Sequence, residues 1–346
     1  MLQVKDFLNV KRTVKMSRMT PREVIQKNIR FQNPDRIGMR FDRGRMDDFV
    51  KEVKISPKGF NEKRWMEGEF EYYDDAWGNL WFRVKDMGSG GEIKKAALAD
   101  WDALKDFKVP DFLGSDDFGK IKKLFDEDNN QHYRMINIPG FPFAICRYLR
   151  KMEIYFQDLV LERDNIDKLH NIVTSAMEKV IKKIPETGAD GIIFFEDWGI
   201  QDRLLISPEM WRDIFKPLYK RLCDAAHSVK LDVLMHSCGY NWAIIDDLAE
   251  VGINAFQFDQ PTIYGDEKLA ERLQAHKICL YSPVDVQKIL PTGNKKLIEE
   301  EAKKMVKLFF GKNGGLIAKN YPDLHGIGVT EEWDNWMYEA FLEHAK

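Results

Sequence analysis

The sequence predicts an α/β fold, a (β/α)8 TIM barrel, from three observations. Short apolar runs alternate with longer helix-period segments, the runs are apolar almost throughout, and each ends in polar residues or glycine. Near-continuous apolar strands belong to a parallel sheet covered on both faces. No GxGxxG follows the first strand, which weighs against a doubly wound dinucleotide fold. With 346 residues the chain exceeds the usual size of one core, but barrels of this length are routinely one domain with insertions. Residues 1–346 are therefore expected to form a single, distorted barrel with an N-terminal helical and hairpin extension.

The elements follow in chain order. "TPREVIQKNIRFQNP" opens a helix with Thr20 as cap, Pro21 in the first turn and Glu23 three residues after the cap. "RIGMRF" reads as the first barrel strand. "GEFEYYDDAWGNLWFRV" reads as a hairpin turning at Gly78-Asn79. Residues 43–110 are expected as an insertion or cap over the barrel mouth. From residue 130 onward six strands alternate with helices: "YRMINIPG", "GIIFFEDWG", "LDVLMHSCG", "NAFQFDQP", "ICLYSPVD" and "GLIAKNYPD". With "RIGMRF" they make seven, so an eighth strand is expected inside a segment that reads as a loop.

Composition excludes several classes. Hydrophobic residues at 44% and charged residues at 32% are those of a globular protein, and a net charge of -3 without a basic face argues against nucleic acid or an anionic membrane. No apolar run is long enough to cross a membrane, and "MLQVKDFLNVKRTVKM" is too charged for a signal peptide, so a cytoplasmic location is expected. Four dispersed cysteines, Cys146, Cys223, Cys238 and Cys279, do not make a disulfide framework.

Barrel enzymes place their chemistry at the C-terminal ends of the strands. Those ends here carry Glu196, Asp197 and Trp198; His236 and Cys238; Gln257 and Asp259; Tyr281; Lys319; and, on the loop beyond, His325. His236 and Cys238, two apart on a strand, project to one side and can reach one metal ion. Spacing alone leaves a second reading open, in which they are the hydrogen-bonded polar end of a buried strand. Glu196, Asp197 and His325 are the candidates for further ligands, giving an open, catalytic zinc site. Cys146, Cys223 and Cys279 read as core. The aromatic residues Trp77, Trp81, Trp198, Tyr240 and Trp242 read either as packing between insertion and barrel or as a stacking pocket; "GSGG", Gly88 to Gly91, reads as a flexible connection or an anion cradle.

"TPREVIQKNIRFQNPDRIG", "EDWGIQDRLLISPEMWRDIFKPLYKRLCDAAHSVKLDVLMHSCGY", "GINAFQFDQP" and "GGLIAKN", in this order, resemble the uroporphyrinogen decarboxylase-like superfamily, and most of all its corrinoid-dependent methyltransferase branch. The resemblance implies a TIM barrel. It implies zinc held by His236 and Cys238, a small-molecule methyl donor, and a corrinoid (cobalamin) carried by a partner protein. Two departures matter. The arginine motif of the decarboxylases is replaced by "MRFDRGRMDDF", which keeps Arg40, Arg43 and Arg45. The second cysteine of the thiol-methylating members is missing, and His325 is the nearest substitute. A set with fewer thiolates makes a more acidic zinc, which favours O-demethylation of a methoxylated aromatic compound. On this reading Trp77, Trp81, Trp198, Tyr240, Gln257 and Tyr281 contact the substrate, and Glu196 or Asp197 is a fourth ligand or the acid. A metal-free carboxy-lyase and a thiol-methylating transferase are the alternatives.

Overall fold

A computed structural model describes residues 18–85, 90–311 and 313–346. Gly88 and Ser89 of "GSGG" lie outside them. Eight parallel strands form the central sheet, in the order β1 (Gly38–Arg40), β12 (Leu316–Lys319), β11 (Cys279–Ser282), β10 (Ala255–Gln257), β9 (Asp232–His236), β8 (Gly191–Phe195), β7 (Met135–Asn137) and β2 (Val53–Lys54). This is the curled sheet of a distorted TIM barrel, and all seven strands read from the sequence are among the eight. The eighth is β2, which pairs with β7 through Val53–Ile136 and Lys54–Asn137.

Where β1 and β2 meet, no ladder forms. Instead the Asp48 N–H donates to Met39 C=O at 2.8 Å, and Arg40 and Asp47 make an isolated antiparallel bridge. The buried Asp48 carboxylate accepts from Arg36 and from the Met39 N–H, which fixes this seam with charge-assisted bonds.

Two cores result from strand alternation. Ile193, Leu234, Ala255, Cys279 and Ile317 fill the barrel interior, and the residues between them face the surrounding helices. The helix Pro21–Ile29, started by the capping box of Thr20 and Glu23, lies across the N-terminal ends of the strands. It inserts Ile25 and Ile29 into the interior, and Arg22 and Arg30 pair with Asp190 and Asp232 at the strand starts. A Cβ at Gly38 would stand 2.5 Å from Ile25 Cδ1, so this closure requires a glycine.

Residues 43–110 divide, because Val53–Lys54 belongs to the barrel and is not part of an insertion. The rest includes a four-stranded antiparallel sheet, β3 (Arg64–Glu67), β4 (Phe70–Asp74), β5 (Leu80–Val84) and β6 (Glu92–Lys95). Its β4–β5 hairpin turns at Gly78 (φ 90°), as the glycine there predicts. The sheet leans on the helix Pro142–Arg150: Trp81 meets Tyr148 edge-on at 4.7 Å, and Leu98 N–H donates to Leu149 C=O at 2.9 Å. Among the described residues no helix is long and apolar enough to cross a membrane.

Candidate metal centre

Register brings the site together at the C-terminal mouth. Phe195, His236, Gln257 and Tyr281 are direct partners across β8, β9, β10 and β11 and so form one inward row. The two-residue alternation continues past the strand ends. After Ile193 and Phe195 the next inward residue is Asp197, and after Leu234 and His236 it is Cys238.

His236, Cys238 and Asp197 converge. His236 Nε2 lies 3.3 Å from Cys238 Sγ and 3.6 Å from Asp197 Oδ1. They are the one group of three His, Cys, Asp or Glu residues, among the described residues, whose ligand atoms all fall within 4.8 Å of one another. Ligands about 2.1–2.3 Å from a tetrahedral zinc stand roughly 3.5 Å from each other, so the spacing suits the ion. The chemistry of the donors suits it too: one imidazole, one thiol and one carboxylate, with His236 Nδ1 buried and without a hydrogen-bond partner among the described residues. Burial first, and then the charges of Asp197 and Asp259, push the Cys238 thiol up from its ordinary value. The chain alone therefore keeps it protonated, and a cation is what would release the thiolate.

Asp197 is held from behind. Its Oδ1 accepts from the Cys238 N–H at 3.0 Å, and Oδ2 faces Arg147 Nη2 at 3.7 Å. Arg147 also donates to the Tyr148 hydroxyl at 3.0 Å, and Tyr148 touches Trp81. A continuous path thus runs from the four-stranded sheet to the cluster.

Glu196 and His325 are not part of it. Glu196 faces outward, fully buried, accepting from the Ala144 N–H at 2.9 Å and from the Tyr219 hydroxyl. Burial raises its carboxyl to about 7. His325 is exposed on the short turn His325–Ile327. The third side chain that converges with His236 and Cys238 is that of Asp197.

The aromatic residues separate likewise. Trp198 is fully buried against Phe143, with ring centroids 3.7 Å apart, and its Nε1 donates to Tyr219 at 2.8 Å. It is part of the packed core. Trp77 packs on Phe112, and Tyr240 stacks on Tyr264. Trp81 Nε1 donates to Asp75 at 2.7 Å. Gln257 and Tyr281 do face the interior, Tyr281 stacked on Phe49 at 5.9 Å.

Sequence reading gives no role to three residues that the structure brings to this place. Phe195 is 41% exposed at the mouth, its ring 5.1 Å from that of His236. Asp259 and Lys319 form a buried ion pair of 3.0 Å beside it. Carrying the alternation beyond each strand end would have singled out Asp197 and Asp259, and would have set Glu196 and Trp198 aside.

No curated protein matches the chain in sequence. Among solved structures, a methyltransferase from Methanosarcina mazei superposes with a TM-score of 0.60 at 18% identity, over 78% of this chain and 76% of that one. A D-psicose 3-epimerase from Clostridium cellulolyticum H10 reaches 0.41 at 12% identity, over 70% and 86%. The family model described as uroporphyrinogen decarboxylase (URO-D) matches residues 84–321, well over half of the sequence and six of its eight barrel strands, all but β1 and β2. The chain belongs to the uroporphyrinogen decarboxylase family.

Proposed function

We propose that this chain is a zinc-dependent methyltransferase that moves a methyl group from a small methoxylated aromatic compound to the cobalt(I) of a corrinoid on a separate protein. The convergence of Asp197, His236 and Cys238 at the barrel mouth carries the proposal. The methyltransferase from Methanosarcina mazei lends support as a fold relative. Decarboxylation of a polycarboxylate would call for arginines free at the mouth. Instead Arg45 is bound by Asp334 and Asp42 and Arg43 lies beside Glu331 and Asp334, while Arg40 holds Glu52 through Nη2 and keeps a buried Nη1 without a hydrogen-bond partner among the described residues.

His236, Cys238 and Asp197 would hold the metal. When bound, zinc supplies Lewis acidity to the ether oxygen, more strongly in a set with one thiolate than with two. Phe195 offers an exposed ring face at the mouth for the aromatic substrate, with Gln257 and Tyr281 in the same row. Arg147 keeps one Asp197 oxygen turned away, so that the other faces His236 and Cys238. The methyl carbon leaves its oxygen, which keeps the bonding pair and takes a proton, while cobalt(I) supplies the pair for the new bond.

Elemental analysis of wild type, His236→Ala, Cys238→Ala and Asp197→Ala tests the centre, with about one zinc expected in the wild type alone. A wild type without stoichiometric zinc, or three variants that keep it, ends the metal reading. Methylation of a free cobalt(I) corrinoid, followed by its absorbance, tests the transfer.

A further inference from the structure

The two oxygens of Asp259 have unequal surroundings. Oδ1 accepts from Lys319 Nζ at 3.0 Å and from Gln257 Nε2 at 3.3 Å. Oδ2 faces His236 Nδ1 at 4.0 Å. That nitrogen is buried and has no hydrogen-bond partner among the described residues. Both side chains of the ion pair are 8% exposed, so neither is free to turn to solvent. Oδ2 accepts no hydrogen bond among the described residues, which is the arrangement of a carboxylate that can take one more, and an imidazole nitrogen is what faces it.

We infer that Asp259, clamped by Lys319 and Gln257, is the positioning residue of the His236–Cys238–Asp197 centre: the charge of its Oδ2, 4.0 Å from His236 Nδ1, favours the ring proton on that nitrogen and so fixes the tautomer whose Nε2 lone pair points at the cluster. The inference rests on the metal reading above. Binding of a cation at Nε2 adds positive charge to the ring and strengthens the Nδ1–H as a donor, which draws it toward Oδ2 across the remaining gap. Lys319 holds Oδ1 and so keeps Oδ2 turned toward His236.

The variants are Asp259→Asn, which keeps the volume, Asp259→Ala, Lys319→Met and the double change Asp259→Ala with Lys319→Met. Zinc affinity is read by competition with a chromophoric chelator, and the His236 tautomer in the metal-free protein by nitrogen-15 NMR. The expected result is an Nδ1–H tautomer in wild type and its loss in Asp259→Asn. Each single variant weakens zinc by about 10–100-fold. The double variant is weaker than Asp259→Ala by no more than about threefold, because the two residues act through one oxygen. A merely structural role would lower the melting temperature and leave tautomer and affinity in place. An Nε2–H tautomer in wild type, or folded Asp259→Asn and Asp259→Ala that bind zinc within about threefold of wild type, overturns the inference. If the wild type binds no zinc at all, the proposed function falls, and the tautomer alone decides: retention of Nδ1–H in Asp259→Asn overturns the inference, and its loss supports it.

Discussion

Asp197 stands beside His236 because the alternation of β8 runs past the last ladder residue, and that same alternation sends Glu196 and Trp198 to the helix side. Two neighbouring carboxylates therefore have opposite surroundings. Asp197→Asn keeps the shape and removes the charge, and zinc affinity is expected to fall at least about tenfold in the chelator competition. Phe195→Ala removes an apolar face and leaves the three converging residues intact. Its expected effect is a rise in KM of roughly tenfold with kcat less affected, measured by steady-state methyl transfer. Of the site, His236 and Cys238 are legible in the sequence, since two residues on one strand share a face whatever the rest of the fold does. His325 is not excluded by sequence, because the course of the loop after β12 depends on packing that no local pattern encodes. Lys319 and Asp259 are visible only as polar ends of apolar runs, and their pairing across β10 and β12 needs the closed sheet.

Among the elements, the strands with several apolar residues and a glycine or proline at the end are legible, whereas β2 is not. Two residues, Val53 and Lys54, cannot display a period, and their pairing is imposed by β7 and the Asp48 seam. The helix Pro21–Ile29 announces itself through its capping box. Thr20→Ala is expected to cost about 1 kcal/mol, measured by urea unfolding. The long helix Arg163–Lys183 holds His170 in the core, paired with the Tyr155 hydroxyl at 2.6 Å. Burial lowers this imidazole from its ordinary value of 6.5 to about 3. The unfolded chain takes up the proton below about 6.5 and the folded chain does not until about 3, so this group's contribution is complete above pH 6.5 and is lost as pH falls. Wild type should therefore lose about 2 kcal/mol between pH 7 and pH 5 that His170→Phe does not lose, beyond a constant offset between the two, as read from urea melts at each pH.

Over the whole molecule, the four-stranded sheet and the barrel are joined at Arg150. Its Nε donates to the buried Asp158 at 2.7 Å, and its Nη1 to Leu98 C=O at 2.6 Å, just after the sheet ends. Arg150→Ala leaves a buried carboxylate without its partner and is expected to cost about 3–5 kcal/mol. Hydrogen exchange should quicken in β5 and β6 as well as in the helix Pro142–Arg150, and exchange confined to that helix would argue against the joint. The helix across the strand starts has a kinetic consequence. With Ile25 and Ile29 filling the end at the strand starts, the cluster is approached from the mouth at the strand ends. On the proposed function a small donor and a protein acceptor would both use that mouth, so the donor would load before the acceptor docks and its remnant would leave after it; turnover would then be ordered, and an excess of acceptor protein would slow it.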